Sequence, residues 1–232
     1  MSEAPMLLAF DTSGNVGSVA VAHGADVLGR AFLTRQAGHA SGLIQAIEDA
    51  LEDAGVDRRE LSGIVVGEGP GSFTGVRVAA ATAKGLVHAL GLPVWAVSSL
   101  AGTALAESSL GSDPVAPRYV LFDARAERVY GGCWLLRPDQ RIEVVSPHAG
   151  EISDVLGREL ARETVFVGDG AEKHRALIEG AGFRVVATNP DYGVADGLIR
   201  FHTMGDTEPV ADPAGWEPAY VRVSGAERLW TT

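Results

Sequence analysis

Met6-Leu7-Leu8-Ala9-Phe10-Asp11-Thr12-Ser13 is a short apolar run that stops on an acid and two hydroxyl residues. Gly17 to Ala22 and Val27 to Leu33 are β-rich runs separated by the turn-like Gly24-Ala25-Asp26, so the opening predicts a three-strand meander. From His39 to Ala54 the period changes. Ala40, Leu43, Ile44, Ile47, Leu51 and Ala54 recur at helical spacing with Glu48, Asp49, Glu52 and Asp53 opposite, which predicts an amphipathic helix ended by Gly55. Gly63 to Gly67 then predicts a buried strand, Thr74 to Leu90 a second helix closed by Gly91, Pro93 to Val97 another strand, and Ser98 the start of a third helix.

Glu107 to Pro117 is rich in Ser, Gly and Pro and marks a junction, giving a first lobe over 1–106 and a second over 107–232 whose C-terminal segment can pack back on the first. After the junction the order begins again. Tyr119 to Asp123, Arg128 to Leu136 and Arg141 to Val145 predict three strands, followed by a helix over Glu151 to Leu160, a strand over Thr164 to Val167, a helix over Ala171 to Glu179 and a strand over Phe183 to Ala187. Two halves with the same order predict a duplicated α/β unit. The first strand of each half ends in aspartate, Asp11-Thr12-Ser13 and Asp123-Ala124-Arg125. An acid at a strand end before a tight turn is how the actin and sugar-kinase class places its two phosphate loops.

Composition sets limits on function. The 232 residues are 46% hydrophobic and 21% charged, enough for a sizeable core, and the formal net charge of −11 opposes a polyphosphate partner. The single Cys133 cannot form an internal disulfide, and MSEAPMLLAFD lacks the basic segment and long apolar run of a signal peptide, so a reducing, cytoplasmic location is expected. No stretch reaches the ~18 consecutive apolar residues of a membrane helix, so no membrane partner is expected.

The densest signal for chemistry is Gly67-Glu68-Gly69-Pro70-Gly71-Ser72-Phe73-Thr74-Gly75-Val76-Arg77, a glycine-rich turn feeding a helix. Such a turn can cradle an anion with backbone N–H groups. Yet no Gly-Lys-Ser/Thr follows, and Glu68 and Pro70, which has no N–H, sit badly beside phosphate, so a structural turn with Ser72 or Thr74 capping the helix carries equal weight. His23, His39, His88, His148, His174 and His202 include no pair at i, i+4, so no metal site is expected. Cys133 lies in the apolar run VYGGCWLL and reads as a buried inert thiol, and no covalent catalyst stands out. Arg125 stands where a second phosphate loop needs a small residue.

On the helix Thr74 to Leu90, Arg77, Lys84 and His88 form a narrow polar stripe, leaving an apolar or small-residue arc wider than one sheet can bury. Gly75, Ala79, Thr82, Leu86 and Leu90 read as the arc for the home sheet, with Val76, Ala80 and Val87 on a flank free to meet a partner. On that assignment Ala80→Arg leaves the isolated fold intact.

LLAFDTS, GEGPGSFTGVRVAAATAKGLVHALGLPVWAVSSL, DARAERVY, VGDGA and the closing EPAYVR with Ala226-Glu227 run in one order from residue 7 to residue 227 and resemble the TsaB (YeaZ) family. The resemblance implies the two-lobed actin-like, sugar-kinase and Hsp70 (ribonuclease H-like) fold. It implies an accessory protein rather than an enzyme, a non-catalytic scaffold and activator of TsaD in transferring the threonylcarbamoyl group to adenosine 37 of tRNAs that read codons beginning with A. TsaD carries a metal-binding His-x-x-x-His on the equivalent first helix; here His39 is followed four residues on by Leu43. The family's partner surface is the pair of first-lobe helices, which maps onto Leu43, Ala46, Ala50, Val76, Ala80, Ala83 and Val87. The expected partners are TsaD, TsaE through the complex, and a second copy when alone, with tRNA met only indirectly. Asp11, Thr12, Ser13, Gly69, Gly71, Ser72, Asp123, Gly168 and Gly170 become remnants of a nucleotide site, with no catalytic residue, no stably bound cofactor, and ATP or ADP only in the complex. The alternative is an enzyme, either an actin-class nucleotide hydrolase or a glycoprotease-like peptidase.

Overall fold

The computed structural model describes residues 4–34, 39–106, 116–125, 127–137, 140–187 and 190–221. The expected junction from Glu107 falls almost wholly outside them, as do Ala226 and Glu227. Strands β1 (Met6–Asp11), β2 (Val16–His23) and β3 (Asp26–Thr34) form the expected antiparallel meander. Helix α1 (His39–Ala54) leads to β4 (Gly63–Gly67), and α2 (Phe73–Leu90) leads to β5 (Val94–Val97). Both strands run parallel to β1 and extend the sheet in the order β3-β2-β1-β4-β5. Helix α3 (Ser99–Ala106) follows.

The second half repeats the plan. Strands β6 (Arg118–Asp123), β7 (Arg128–Arg137) and β8 (Gln140–Glu151) make a second meander; β9 (Val165–Val167) and β10 (Arg184–Val185) add to it in parallel. The order β8-β7-β6-β9-β10 matches the first sheet strand for strand. Here β8 is longer than its apolar run, α4 (Ile152–Leu156) is shorter than expected, and the single helix expected over Ala171 to Glu179 is two, α5 (Asp169–Lys173) and α6 (Arg175–Gly180), broken at buried His174.

The sequence pattern carries no expectation of α7 (Val194–Thr203). It fixes the layering. Helices α1 and α2 cover one face of the first sheet, where Leu43, Ala46, Ala50, Ala79 and Ala83 meet Leu8, Phe10, Val19, Ile64 and Val66. Ala195, Leu198 and Ile199 of α7 cover the other face, against Leu7, Ala9, Ala20 and Val65. Leu100, Ala101, Ala104 and Leu105 of α3 cover the facing side of the second sheet at Val120, Phe122, Trp134 and Val167, while α4 to α6 close its far side around Tyr119, Leu121 and Phe166. The lobes are joined through an apolar layer of two helices packed on each other.

Without α7 the inner face of the first sheet would be bare, so a helix from the C-terminal part of the chain packs back on the first lobe. Residues after α7 also return to the first lobe. Val210 N donates to Val94 O (2.8 Å), Lys84 Nζ to Ala214 O (2.9 Å) and Arg77 Nε to the Tyr220 hydroxyl (3.1 Å), while Trp216 packs on the first-lobe core.

Candidate functional site

Asp11 ends β1 with no solvent exposure. Its Oδ1 accepts from Ser13 N (2.8 Å) and Ser13 Oγ (2.7 Å), and its Oδ2 accepts a short bond from the Ser99 hydroxyl. Burial raises the carboxyl above its ordinary range, and these hydrogen bonds, Ser99's first, pull it back. A carboxylate whose two oxygens are taken by protein donors holds a strand end, a turn and a helix N-terminus together.

The glycine-rich turn between β4 and α2 lies on this knot. A Cβ on Gly67 would stand 1.9 Å from Asp11 Oδ2, one on Gly71 2.5 Å from Ser13 O, and one on Gly75 1.8 Å from Thr12 O. Ser72 N donates to Ser13 O (2.8 Å) and Thr12 Oγ1 to Gly75 O (2.6 Å). Gly69, at φ +90°, receives a bond from Ser99 N at its carbonyl and donates its own N–H to Ser99 Oγ (3.0 Å). Ser72 caps α2, its Oγ accepting from Gly75 N (3.4 Å). The glycines thus admit the Thr12-Ser13 backbone, and the N–H groups at Gly69 and Ser72 are spent inside the protein. Asp11, Thr12, Ser13, Gly69, Gly71 and Ser72 do come together, in a tightly packed joint between β1, the turn and the start of α2. Glu68, one residue before Gly69, is pushed up by burial and accepts a hydrogen bond from Trp216.

The second strand-end acid is occupied too. Asp123 Oδ1 accepts from Arg125 N (2.8 Å) and Lys173 Nζ (2.8 Å); burial pushes the carboxyl up, but Lys173 and Arg125 outweigh it and hold it below the ordinary range. Arg125 sits at φ +66°, in the region that favours glycine, so the turn is tight despite its long side chain. Gly168 and Gly170 serve packing, since a Cβ on either would strike the β6 backbone, at Leu121 O (2.4 Å) and Phe122 C (2.8 Å). Asp169 links the two half-sites: its carboxylate accepts from Asp123 N (3.1 Å) and from the Asn15 amide (2.5 Å) across the cleft. Sequence reasoning missed Asn15, Ser99 and Asp169, none of which stands out by spacing. Among the described residues no group of three or more His, Cys, Asp and Glu is placed to hold a metal ion, and no helix is long and apolar enough to cross a membrane.

The expected partner-binding residues are placed differently from the wheel. Leu43, Ala46, Ala50, Val76, Ala80 and Ala83 are all buried within the lobe, and Val87 is half-buried against its core. The home arc of α2 is centred on Ala79 and Ala83. It is rotated from the expected one by roughly half of the ~100° step between neighbours, which takes Val76 and Ala80 inside. The pair exposes Ile44, Gln45, Glu48, Asp49, Glu52 and Asp53 on α1 and, besides Phe73, Thr74 and Arg77 of its first turns, Ala81, Gly85, His88 and Ala89 on α2. Nothing lies within 4 Å of a Cβ built on Gly85.

Residues 33–197 match the family model described as TsaD: tRNA N6-adenosine threonylcarbamoyltransferase. The chain is 30% identical over 230 residues, covering 97% of each chain, to the tRNA threonylcarbamoyladenosine biosynthesis protein TsaB of Bacillus subtilis. Among solved structures it superposes on YeaZ from Pseudomonas aeruginosa with a TM-score of 0.73 at 30% identity, over 93% of this chain and 99% of the other. At 12% identity it shares the fold of component A of the (R)-2-hydroxyglutaryl-CoA dehydratase of Acidaminococcus fermentans, with a TM-score of 0.53 over 85% of this chain and 97% of that one. With two matched meander-led lobes, a GPGSFTG joint and end-to-end similarity to both TsaB and YeaZ, the chain belongs to the TsaB (YeaZ) family.

Proposed function

We propose that the protein works in the synthesis of threonylcarbamoyladenosine in tRNA as a non-catalytic partner of TsaD, activating transfer of the threonylcarbamoyl group to adenosine 37. The observation that carries this reading is the similarity to B. subtilis TsaB along 97% of both chains. The site supports the non-catalytic part. Asp11 and Asp123, the two acids placed to face a metal-nucleotide, are bonded to Ser13, Ser99, Arg125 and Lys173, and Leu43, four residues after His39, is buried in the core.

TsaD meets the outward face of α1 and α2, at Ile44, Ala81, Gly85 and Ala89, in place of the buried residues of the first expectation. Small side chains on an exposed helix face let a partner helix approach toward the short end of the ~8–10 Å range. A second copy takes the same face when TsaD is absent, TsaE joins through the complex, and tRNA is met through TsaD, consistent with a net charge of −11. The test is copurification with TsaD and reconstituted nucleoside synthesis using Gly85→Arg. That variant should keep the wild-type thermal midpoint and lose both TsaD binding and activation. Undiminished binding would move the interface elsewhere, and ATP turnover by the isolated protein would replace the scaffold reading with an enzymatic one.

A further inference from the structure

Apart from the α1/α2 face, the molecule holds a cavity of about 190 Å³ between the lobes, walled by Val16, Phe32, Thr103, Phe122, Tyr192 and Val194. Among the described residues its lining includes no Lys, Arg or His. The one carboxylate there, Asp169, already accepts from Asn15 and from the Asp123 amide. A phosphate there would face Asp169 with no Lys, Arg or His among the described lining residues, and Arg30, which lies over Tyr192 at the mouth, is already paired with Asp196. The rim is apolar and open: Val16 is 52% exposed, Phe32 43% and Tyr192 39%, three of the large hydrophobic residues that the fold leaves in water, gathered at one mouth.

The walls are held in place. Tyr192 lies under the Arg30 guanidinium, 5.4 Å from its ring centre; Arg30 pairs with Asp196 at 2.6 Å, and Asp196 also accepts from Gly193 N (2.9 Å). Gly193 lies so close to β2 that a Cβ there would stand 2.3 Å from that of Ser18. The volume is near that of the ~150 Å³ apolar cavity known to take benzene and below the ~300 Å³ at which drug-sized pockets begin. We propose that this cleft binds one uncharged aromatic ring system of one or two rings, a neutral heterocycle or nucleoside base, and rejects phosphorylated forms. Phe32 and Tyr192 flank the ring at the mouth, and Phe122 and Val194 form the apolar floor. Nothing in the proposal depends on TsaD.

Indole, adenosine and ATP are titrated into the full-length protein and followed by saturation-transfer NMR and by amide shifts of residues lining the cleft. Indole and adenosine should bind saturably in the low-millimolar range or tighter and compete with each other, with shifts at Val194 and Phe122, while ATP binds at least tenfold more weakly than adenosine. Phe32→Ala with Tyr192→Ala should weaken adenosine at least tenfold. Val16→Glu, a change at an exposed position that spares the fold, should do so as well if the double variant is unstable. Absence of saturable binding, ATP binding as tightly as adenosine, or affinity unchanged in Val16→Glu and the double variant would each overturn the proposal.

Discussion

Replacing Asp11 by alanine should damage the fold. Four donors converge on its carboxylate: the Ser13 and Gly14 amides and the Ser13 and Ser99 hydroxyls. The hydroxyls can rotate toward other acceptors, but the amides cannot, and each buried donor left unpaired costs about 1–3 kcal/mol. Removing a buried charge offsets part of this, leaving a net loss of about 2–4 kcal/mol. For a chain of this length that is a drop of roughly 5–15 °C in midpoint. Circular dichroism melts at pH 7, with TsaD copurification measured well below the midpoint, separate stability from binding. Burial holds the Asp11 pKa above its ordinary 3.8, so the folded state keeps the proton longer than the unfolded one. The stabilisation is fullest below the unfolded value and is lost as pH rises through the folded one. Asp11→Asn has no such slope, so wild-type stability minus that of the variant should fall as pH climbs above about 4. An alanine variant with an unchanged midpoint, or a difference that grows with pH, would refute the structural role of this acid.

Other expectations follow from the same contacts. Gly75→Ala drives a methyl group to 1.8 Å from Thr12 O and should lower the midpoint more than any other glycine-to-alanine change on α2, whereas Gly85→Ala, with nothing within 4 Å, should raise it slightly. Ala80→Arg places a charge at a buried position and should unfold the protein or cost at least ~3 kcal/mol, read as a loss of soluble, cooperatively melting material; Ala81→Arg one position on should melt like wild type. Trp216→Ala removes a half-buried ring from the first-lobe core and the hydrogen bond to Glu68, so about 2–3 kcal/mol should be lost in urea unfolding.

Where local pattern and burial coincide, the sequence is readable. The His39 to Ala54 helix, the Gly63 to Gly67 strand and the three-strand meanders of both halves, apart from the far end of β8, stand at or within a few residues of their expected bounds, because each alternates or repeats against a single apolar face. α7 was missed for the opposite reason. Its core contribution is Ala195, Leu198 and Ile199, a pattern of few residues, and its partners Leu7, Ala9 and Val65 lie in another part of the chain. The α2 wheel was misaligned because Ala, Gly and Thr surround the whole helix, so hydropathy does not tell the home arc from the outward one. Only Thr12 O against Gly75 and the sheet against Ala79 and Ala83 fix its rotation.

The same absence of bulk explains how one sequence feature supported two readings. Glycines in a strand-turn-helix segment are needed wherever backbone approaches backbone, and the approach can be to a phosphate or to another turn of the chain. Here Gly67, Gly71 and Gly75 each face an atom of Asp11, Ser13 or Thr12, and at the matching place in the other lobe Gly168 and Gly170 face Leu121 and Phe122. Ser99 supplies the hydroxyl that seals the first knot and Lys173 the ammonium that seals the second. With both turns closed on protein atoms and the lobes joined through α3 and α7, moving the lobes apart would break the close α3/α7 contact, where Gly102 lies against Val194 and Leu198 and Gly197 against the Gly102 carbonyl. On the proposed function, a body held in that way presents the outward face of α1 and α2 to a partner in a fixed orientation.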